Sequence, residues 1–154
     1  MADFFFDASA LVKRYVAEVG SAWVSSLALP SAGNRIFVAA ISAVEVASAL
    51  ARRTKAGNLT PAAATIARSL FDHDFAHQYG VIEITEPLLT LAVTLADAHA
   101  LRAYDAAQLS AVLTLNDRRA THVLPPTTVI SADQELNTAA RTEGLQVDDP
   151  NSHP

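Results

Sequence analysis

The chain has 154 residues, 51% of them hydrophobic, so a single domain can bury a core without disulfides or a structural metal. It contains no cysteine, which excludes disulfide frameworks, thiolate catalysis and sulfur-ligated zinc or iron. The formal net charge of -5 at pH 7 disfavours a protein that grips nucleic acid mainly through lysine and arginine, unless its acids gather in a site for divalent cations.

The N-terminal residues lack the basic and long apolar regions of a secretory signal. No apolar run approaches the roughly 18 to 20 residues that are needed to cross a bilayer. We therefore expect a cytoplasmic protein without membrane association.

The first elements in chain order are a strand and a helix. Residues 4–6 (FFF) are a short apolar run that predicts a buried strand, and Leu11 and Tyr15 begin a helical spacing. Residues 36–40 predict a second strand, followed by a helix that ends where residues 55–58 (KAGN) break the pattern.

The middle of the chain predicts a helix, a strand and a further helix. Thr60 before Pro61 is typical of a capped helix start, and this helix extends to about Gln78. Residues 81–84 predict a third strand, and residues 86–99 predict the helix after it.

The last third of the chain predicts two helices and two strands. We expect a helix from about Asp105 to Leu115, a loop over 116–127, a strand over 128–130, a helix over 133–141 and an edge strand over 145–147.

Short apolar strands that alternate with helices imply parallel pairing through right-handed crossovers. We predict an α/β fold, a three-layer α/β/α sandwich with a central, mainly parallel sheet. One domain would cover residues 1–147, with a flexible tail at 148–154. Such folds place their sites at the carboxyl ends of the strands.

Four acids stand near predicted strand ends or helix starts: Asp7, Glu45, Asp105 and Asp133. A parallel sheet would bring these ends together and concentrate like charges, which repel unless protons or cations neutralise them. Carboxylate ligands suit Mg²⁺ or Mn²⁺, which take one or two carboxylates together with water and phosphate oxygens. The pattern therefore indicates metal-assisted hydrolysis of phosphodiesters.

Each acid also has a structural interpretation as a helix cap. Residues 42–45 (SAVE) and 131–134 (SADQ) match the capping box, and Asp105 is placed to cap its own helix. Taken one at a time, the acids fit either interpretation, and only their joint arrangement favours a metal site.

Four short motifs surround these acids: residues 4–11 (FFFDASAL), 42–45 (SAVE), 101–106 (LRAYDA) and 131–133 (SAD). Together, and in this order, they resemble the PIN domain, most nearly that of VapC-like toxins, over residues 3–147. The resemblance implies an endoribonuclease dependent on Mg²⁺ or Mn²⁺, whose catalytic and metal-binding residues are Asp7, Glu45, Asp105 and Asp133. It also implies a toxin neutralised by a separately encoded antitoxin, and a homodimer.

Three further residues are assigned supporting roles. Ser9 matches a position where the PIN family commonly carries Ser or Thr, so we expect it to hydrogen-bond the first Asp. Arg102, one turn before Asp105, could contact phosphate or orient a carboxylate, although an exposed loop arginine is the simpler interpretation. Ser131 lies within the last motif.

Other polar clusters carry weaker signals. Lys13–Arg14 and residues 52–55 (RRTK) are candidate RNA contacts, yet short basic clusters on helices are usually solvated. His73 and His77 have the i,i+4 spacing of a helical metal pair but lack the acid of the zinc-protease pattern, so we interpret them as surface residues.

Three other classes of protein share part of this pattern. A haloacid-dehalogenase-type phosphatase needs a second Asp two residues after the first, where this chain has Ser9. A response-regulator receiver needs a lysine after a late strand, and the only lysines here are Lys13 and Lys55. A non-catalytic PIN-like binding module, acting through partner contacts, is the alternative to the ribonuclease.

Overall fold

A computed structural model describes all 154 residues and contains a five-stranded sheet with helices on both faces. The strands are β1 (Asp3–Phe6), β2 (Arg35–Ala39), β3 (Tyr79–Ile82), β4 (Thr128–Ile130) and β5 (Val147–Asp148). They lie in the order β3-β2-β1-β4-β5, and every neighbouring pair is parallel. The predicted three-layer α/β/α sandwich is confirmed.

Seven α-helices cover the sheet. They are α1 (Ala8–Tyr15), α2 (Ser21–Leu27), α3 (Ser42–Lys55), α4 (Pro61–His77), α5 (Glu86–His99), α6 (Ala103–Thr121) and α7 (Gln134–Thr142). None of them combines the length and the apolar character that a membrane-spanning helix requires.

The central strand β1 supplies both hydrophobic cores. Phe5 packs in the core formed with α5, α6 and α7, which includes Leu109. Phe6 packs in the core formed with α1 to α4, which includes Leu11 and Phe71. Because successive strand residues point to opposite faces, one apolar run serves both layers of helices, as is usual for a buried parallel strand.

Several predicted helix starts are confirmed by their caps. The Thr60 hydroxyl accepts a hydrogen bond from the backbone N–H of Ala63 at 3.1 Å, with Pro61 in the first turn of α4. The Thr85 hydroxyl accepts one from the N–H of Leu88 at 3.3 Å and caps α5 in the same way.

The short helix α2 was not predicted. It has seven residues, and its N-cap is Gly20, which has no side chain to accept a capping hydrogen bond. A helix this short is marginal by itself, so packing against the neighbouring elements decides whether it forms. The third strand also begins two residues earlier than predicted, at Tyr79 instead of Val81.

The predicted loop over 116–127 is wrong in its first half, because α6 continues to Thr121. Arg119 lies on the inner side of this extension and is only 4% exposed. Its guanidinium pairs with the Asp3 carboxylate, which also accepts two hydrogen bonds of 2.6 Å from Arg35. The segment predicted to be a loop therefore contains one buried, paired arginine.

The C-terminal residues 148–154, predicted to form a flexible tail, include groups that contact α2. The Trp23 indole and the His153 imidazole stack, with ring centroids 3.9 Å apart and planes 9° apart. Gly20 has a φ of +82°, and a Cβ atom there would lie 2.3 Å from the carbonyl oxygen of Pro150. Only glycine permits both this backbone conformation and this contact.

Removal of the Asp3 carboxylate should leave the buried Arg119 charge without its partner. We expect Asp3→Asn to lower the free energy of unfolding by about 3 kcal/mol, the scale of breaking one side of a buried ion pair. Urea denaturation measures this loss. Asp72→Asn is the control, because it removes an exposed i,i+4 pair with Arg68 and should cost less than about 0.5 kcal/mol. Equal losses in the two variants would contradict the prediction.

Candidate active site

The structure brings all the predicted acids to one cleft with a volume of about 460 Å³. The acids that line it are Asp7 after β1, Glu45 in the first turn of α3, Asp105 in the first turn of α6 and Asp133 before α7. Residues that are distant in the chain therefore meet at the carboxyl edge of the sheet, as expected for parallel strands.

Asp7 is 4% exposed and is held by groups on two sides. Its Oδ1 accepts hydrogen bonds from the Ser9 hydroxyl at 2.7 Å and from the backbone N–H of Ala10 at 3.1 Å. The Ser9 oxygen in turn accepts a hydrogen bond of 2.8 Å from the N–H of Ala132, which follows β4. The expected bond between Ser9 and Asp7 is present, and the same hydroxyl also joins the ends of β1 and β4.

Asp133 is fixed by the turn between β4 and α7. Its Oδ1 accepts a hydrogen bond of 2.9 Å from the N–H of Leu136, which makes Asp133 the N-cap. The predicted capping box with Ser131 at the N-cap is therefore wrong. Ser131 is buried and does not line the cleft, but its hydroxyl accepts a hydrogen bond of 3.1 Å from the N–H of Asp133. It supports Asp133 by shaping this turn.

Glu45 is held by Gln108, which was not predicted. Gln108 is 1% exposed, and its amide donates to the Glu45 carboxylate and to the Ser42 hydroxyl, the latter at 2.9 Å. Ser42 therefore does not cap α3, whose N-cap is Ile41 without a side-chain bond, and the predicted capping box is wrong here too. The sequence signal for this role of Gln108 was its position as a single amide on the apolar buried face of α6, one turn after Asp105.

Asp105 differs from the other acids because it accepts no hydrogen bond from the protein. It lies in the first turn of α6 and is not the N-cap, which is Arg102. Both of its oxygens are thus free to meet a ligand in the cleft, and the positive end of the helix dipole favours their charged form. Arg102 is exposed and lines the cleft, as a phosphate-contacting residue would.

Burial and nearby negative charge make Asp7, Glu45 and Asp105 harder to ionise. Burial raises the pKa of Asp7 to about 6, with a smaller contribution from the charge of Asp133. Burial raises the pKa of Glu45 to about 7, and the charges of Asp7 and Asp105 add to this. Burial also raises the pKa of Asp105 to about 6, and Asp133 adds to it. The acids therefore interact electrostatically across the cleft, as the sequence predicted.

The donor set suits a hard divalent cation. It consists of carboxylate oxygens, with no histidine or sulfur ligand in the cleft. No three of the histidine, aspartate and glutamate side chains converge closely enough to hold an ion by themselves. Mg²⁺ normally uses one or two carboxylates and completes its shell with water and phosphate oxygens, for which the cleft has room. The residues therefore fit an ion that water and substrate help to coordinate.

Four cations line the same cleft: Lys13, Arg52, Arg53 and Arg102. The adjacent residues Lys13 and Arg14 diverge, since Lys13 faces the cleft whereas Arg14 pairs with Asp74 at 2.9 Å outside it. His73 and His77 are exposed on α4 and lie outside the cleft, as interpreted from the sequence. Of the two basic clusters named as candidate RNA contacts, Lys13, Arg52 and Arg53 therefore line the cleft, whereas Arg14 does not.

Similar proteins were found among curated relatives and among solved structures, whereas no protein-family model matches the chain. The chain is 32% identical over 143 residues to Ribonuclease VapC45 of Mycobacterium tuberculosis, and the alignment covers 93% of this chain and 92% of the relative.

Two solved structures share the fold. VapBC2 from Rickettsia felis, bound to a DNA fragment from its promoter, has a TM-score of 0.63 at 13% identity and covers 96% of this chain and 98% of that one. A toxin-antitoxin complex from Klebsiella pneumoniae has a TM-score of 0.58 at 15% identity and covers 97% of this chain and 98% of that one. At these identities the similarity establishes the α/β/α architecture.

The raised pKa values of Asp7, Glu45 and Asp105 predict that the ion-free protein loses stability as the pH rises. Between about pH 4 and about pH 7 the native state keeps protons that the unfolded chain has released, so the free energy of unfolding falls with increasing pH. Denaturation in the presence of a chelator measures the slope. Asp105→Asn should make the slope shallower, and an unchanged slope would contradict this account.

Gln108→Leu should raise the pKa of Glu45 further, because the Gln108 hydrogen bond lowers it in the parent protein. NMR titration of the Glu45 carboxyl carbon in ion-free protein measures the shift. Ser42→Ala is the matched control, since it removes the other partner of the same amide and leaves the bond to Glu45 in place. If Glu45 titrates identically in both variants, Gln108 does not tune it.

Proposed function

Because the chain belongs to the VapC family of ribonucleases, we propose that it is an endoribonuclease that hydrolyses RNA phosphodiester bonds in this cleft. The observation that carries the proposal is the meeting of four partly or fully buried carboxylates at one edge of the sheet. A non-catalytic binding module is the weaker alternative, because partner contact alone gives no reason to gather like charges away from water.

We propose that catalysis depends on Mg²⁺ or Mn²⁺ bound by carboxylates of the set Asp7, Glu45, Asp105 and Asp133, with water and substrate oxygens completing its coordination. When bound, such an ion supplies positive charge that makes water more acidic and stabilises negative charge on the phosphate. Asp105, whose oxygens accept nothing from the protein, is the most available ligand. The other three acids are each oriented by hydrogen bonds that keep them facing the cleft.

The chain's own residues prepare the site before any substrate arrives. Ser9 holds Asp7 in position relative to the turn that carries Asp133, and Gln108 fixes Glu45 relative to α6. Such preorganisation matters because groups already in place need no rearrangement during the reaction. Arg102 lies at the cleft surface, where it would meet a phosphate oxygen.

We further infer that the protein is the toxin of a toxin-antitoxin pair and that a separately encoded antitoxin protein neutralises it. Support comes from its family membership and from the solved complexes that share its fold, which are described as VapBC2 and as a toxin-antitoxin complex. A homodimer and a cytoplasmic location are proposed on the family resemblance alone.

The proposal predicts that Asp7→Asn and Asp105→Asn abolish cleavage without unfolding the protein. We expect activity on a mixture of RNAs with Mn²⁺ to fall by about 100-fold or more, the scale of losing one electrostatic stabiliser in an active site. Isothermal titration should show weaker Mn²⁺ binding by both variants, since each loses a ligand charge. Stability should be kept, because Asn is nearly isosteric and relieves repulsion.

Asp72→Asn is the control for these variants, as it removes one negative charge from an exposed position outside the cleft. It should cleave RNA like the parent, and a chelator should stop the parent and the control equally. Equal cleavage by Asp105→Asn and the parent would overturn the mechanism. Loss of stability without loss of cleavage would mean that the acids act as helix caps.

A further inference from the structure

Glu18 is an acid placed among the cations of the cleft. It lies in the loop over 16–20, between α1 and α2, and it lines the cleft. One of its oxygens is 3.3 Å from the Lys13 ammonium, and the other is 2.7 Å from the Arg53 guanidinium. A single carboxylate therefore bridges a cation on α1 and a cation on α3.

The two cations retain donors that Glu18 does not use. Lys13 is 6% exposed, and its ammonium donates to the Val19 carbonyl at 2.8 Å in addition to its pairing with Glu18. An ammonium has three donors, so one remains for another acceptor. Arg53 makes one hydrogen bond, to Glu18, although a guanidinium carries five N–H groups. Both groups therefore keep N–H donors for an anion that takes the place of Glu18.

The distribution of charge along the chain indicates what the cations of the cleft bind. Four of the chain's 11 lysine and arginine residues line this one cleft. Elsewhere Arg14, Arg35, Arg68 and Arg119 are each paired with an aspartate. A strand of RNA beside acidic groups needs positive charge for its neighbouring phosphates, particularly on a chain with a net charge of -5.

We propose that Lys13 and Arg53 form a subsite for an RNA phosphate next to the cleaved bond, and that Glu18 occupies this subsite in the free protein. Carboxylate and phosphate both accept charge-assisted hydrogen bonds from such cations, so a phosphodiester can replace Glu18. The side chains of Glu18 and Arg53 are 30% and 29% exposed to solvent, so their ion pair can open without disturbing the core. This inference rests on the proposed ribonuclease function.

A purely structural role for Glu18 makes the opposite prediction. Lys13 and the Ser21 hydroxyl, which accepts from the Glu18 N–H at 2.9 Å, both hold the loop. If Glu18 served only to fix this loop, its replacement would loosen the loop and would not improve RNA binding. If it competes with phosphate, its replacement frees two cations and binding becomes tighter. The direction of the change therefore separates the two roles.

The experiment measures binding of a short fluorescent single-stranded RNA by anisotropy in the Asp105→Asn background, so that cleavage does not interfere. We expect Glu18→Gln to bind about 3-fold more tightly or better, and Arg53→Gln to bind more weakly by a similar factor. Arg53→Gln should also reduce the slope of log affinity against log salt concentration by about 0.7, the value for one phosphate contact on a single strand.

Two variants outside the cleft match these changes of charge. Glu143→Gln removes the partner of His99, and Arg68→Gln removes an exposed arginine on α4. Both should bind RNA like the background protein. Thermal unfolding of every variant, followed by circular dichroism, checks that a change in affinity does not come from a change in folded fraction.

The possible outcomes are distinguishable. Tighter binding by Glu18→Gln together with a shallower salt slope for Arg53→Gln supports the subsite. If the background protein binds RNA while both cleft variants behave like their controls, the subsite is overturned and the proposed ribonuclease function stands. If the background protein binds no RNA although the parent cleaves RNA with Mn²⁺, the subsite alone is overturned. If the parent also fails to cleave RNA with Mn²⁺, the proposed function is overturned and this inference with it.

Discussion

Repulsion between carboxylates in a partly water-excluded cleft is the constraint on which this architecture depends. The parallel sheet brings the acids together, and burial makes Asp7, Glu45 and Asp105 harder to ionise. The surrounding structure supplies hydrogen-bond donors to carboxylates of the cleft. They are the hydroxyl of Ser9, the amide of Gln108 and backbone N–H groups in the first turns of α1 and α7. These donors offset part of the desolvation cost and leave the negative charge in place. The cleft is therefore prepared for positive charge from outside.

The same cleft resolves the conflict between an acidic chain and an anionic substrate. The net charge of -5 describes the whole molecule, whereas a phosphodiester meets only the groups around the site. There, carboxylates suited to a divalent ion stand close to the cations Lys13, Arg52, Arg53 and Arg102. The total charge of such a protein does not attract RNA, so RNA recognition depends on the pairing of its phosphates with positive charge in the cleft.

Much of the fold could be predicted from the sequence because its signals are local. The strand at 128–130 and the cap at Thr60 can be recognised from a few neighbouring residues, and the acids follow from strand ends. The partners that orient the acids could not be predicted in this way. Gln108 meets Glu45 across 63 positions of the chain, and Arg119 meets Asp3 across 116. Local pattern carries no information about such pairings, and a buried arginine has the same sequence signal as a solvated one.

The hydrogen bond from the backbone of Ala132 to Ser9 spans 123 positions of the chain. A growing polypeptide therefore cannot make this bond until the segment that follows β4 has been synthesised. Until then Ser9, the hydrogen-bond partner of Asp7, lacks its bond to the segment after β4, and Asp133 is not yet part of the chain. Contacts of such large separation also form slowly once both partners are present. The order of synthesis thus places the assembly of the four acids after the addition of Asp133, the last of them along the chain.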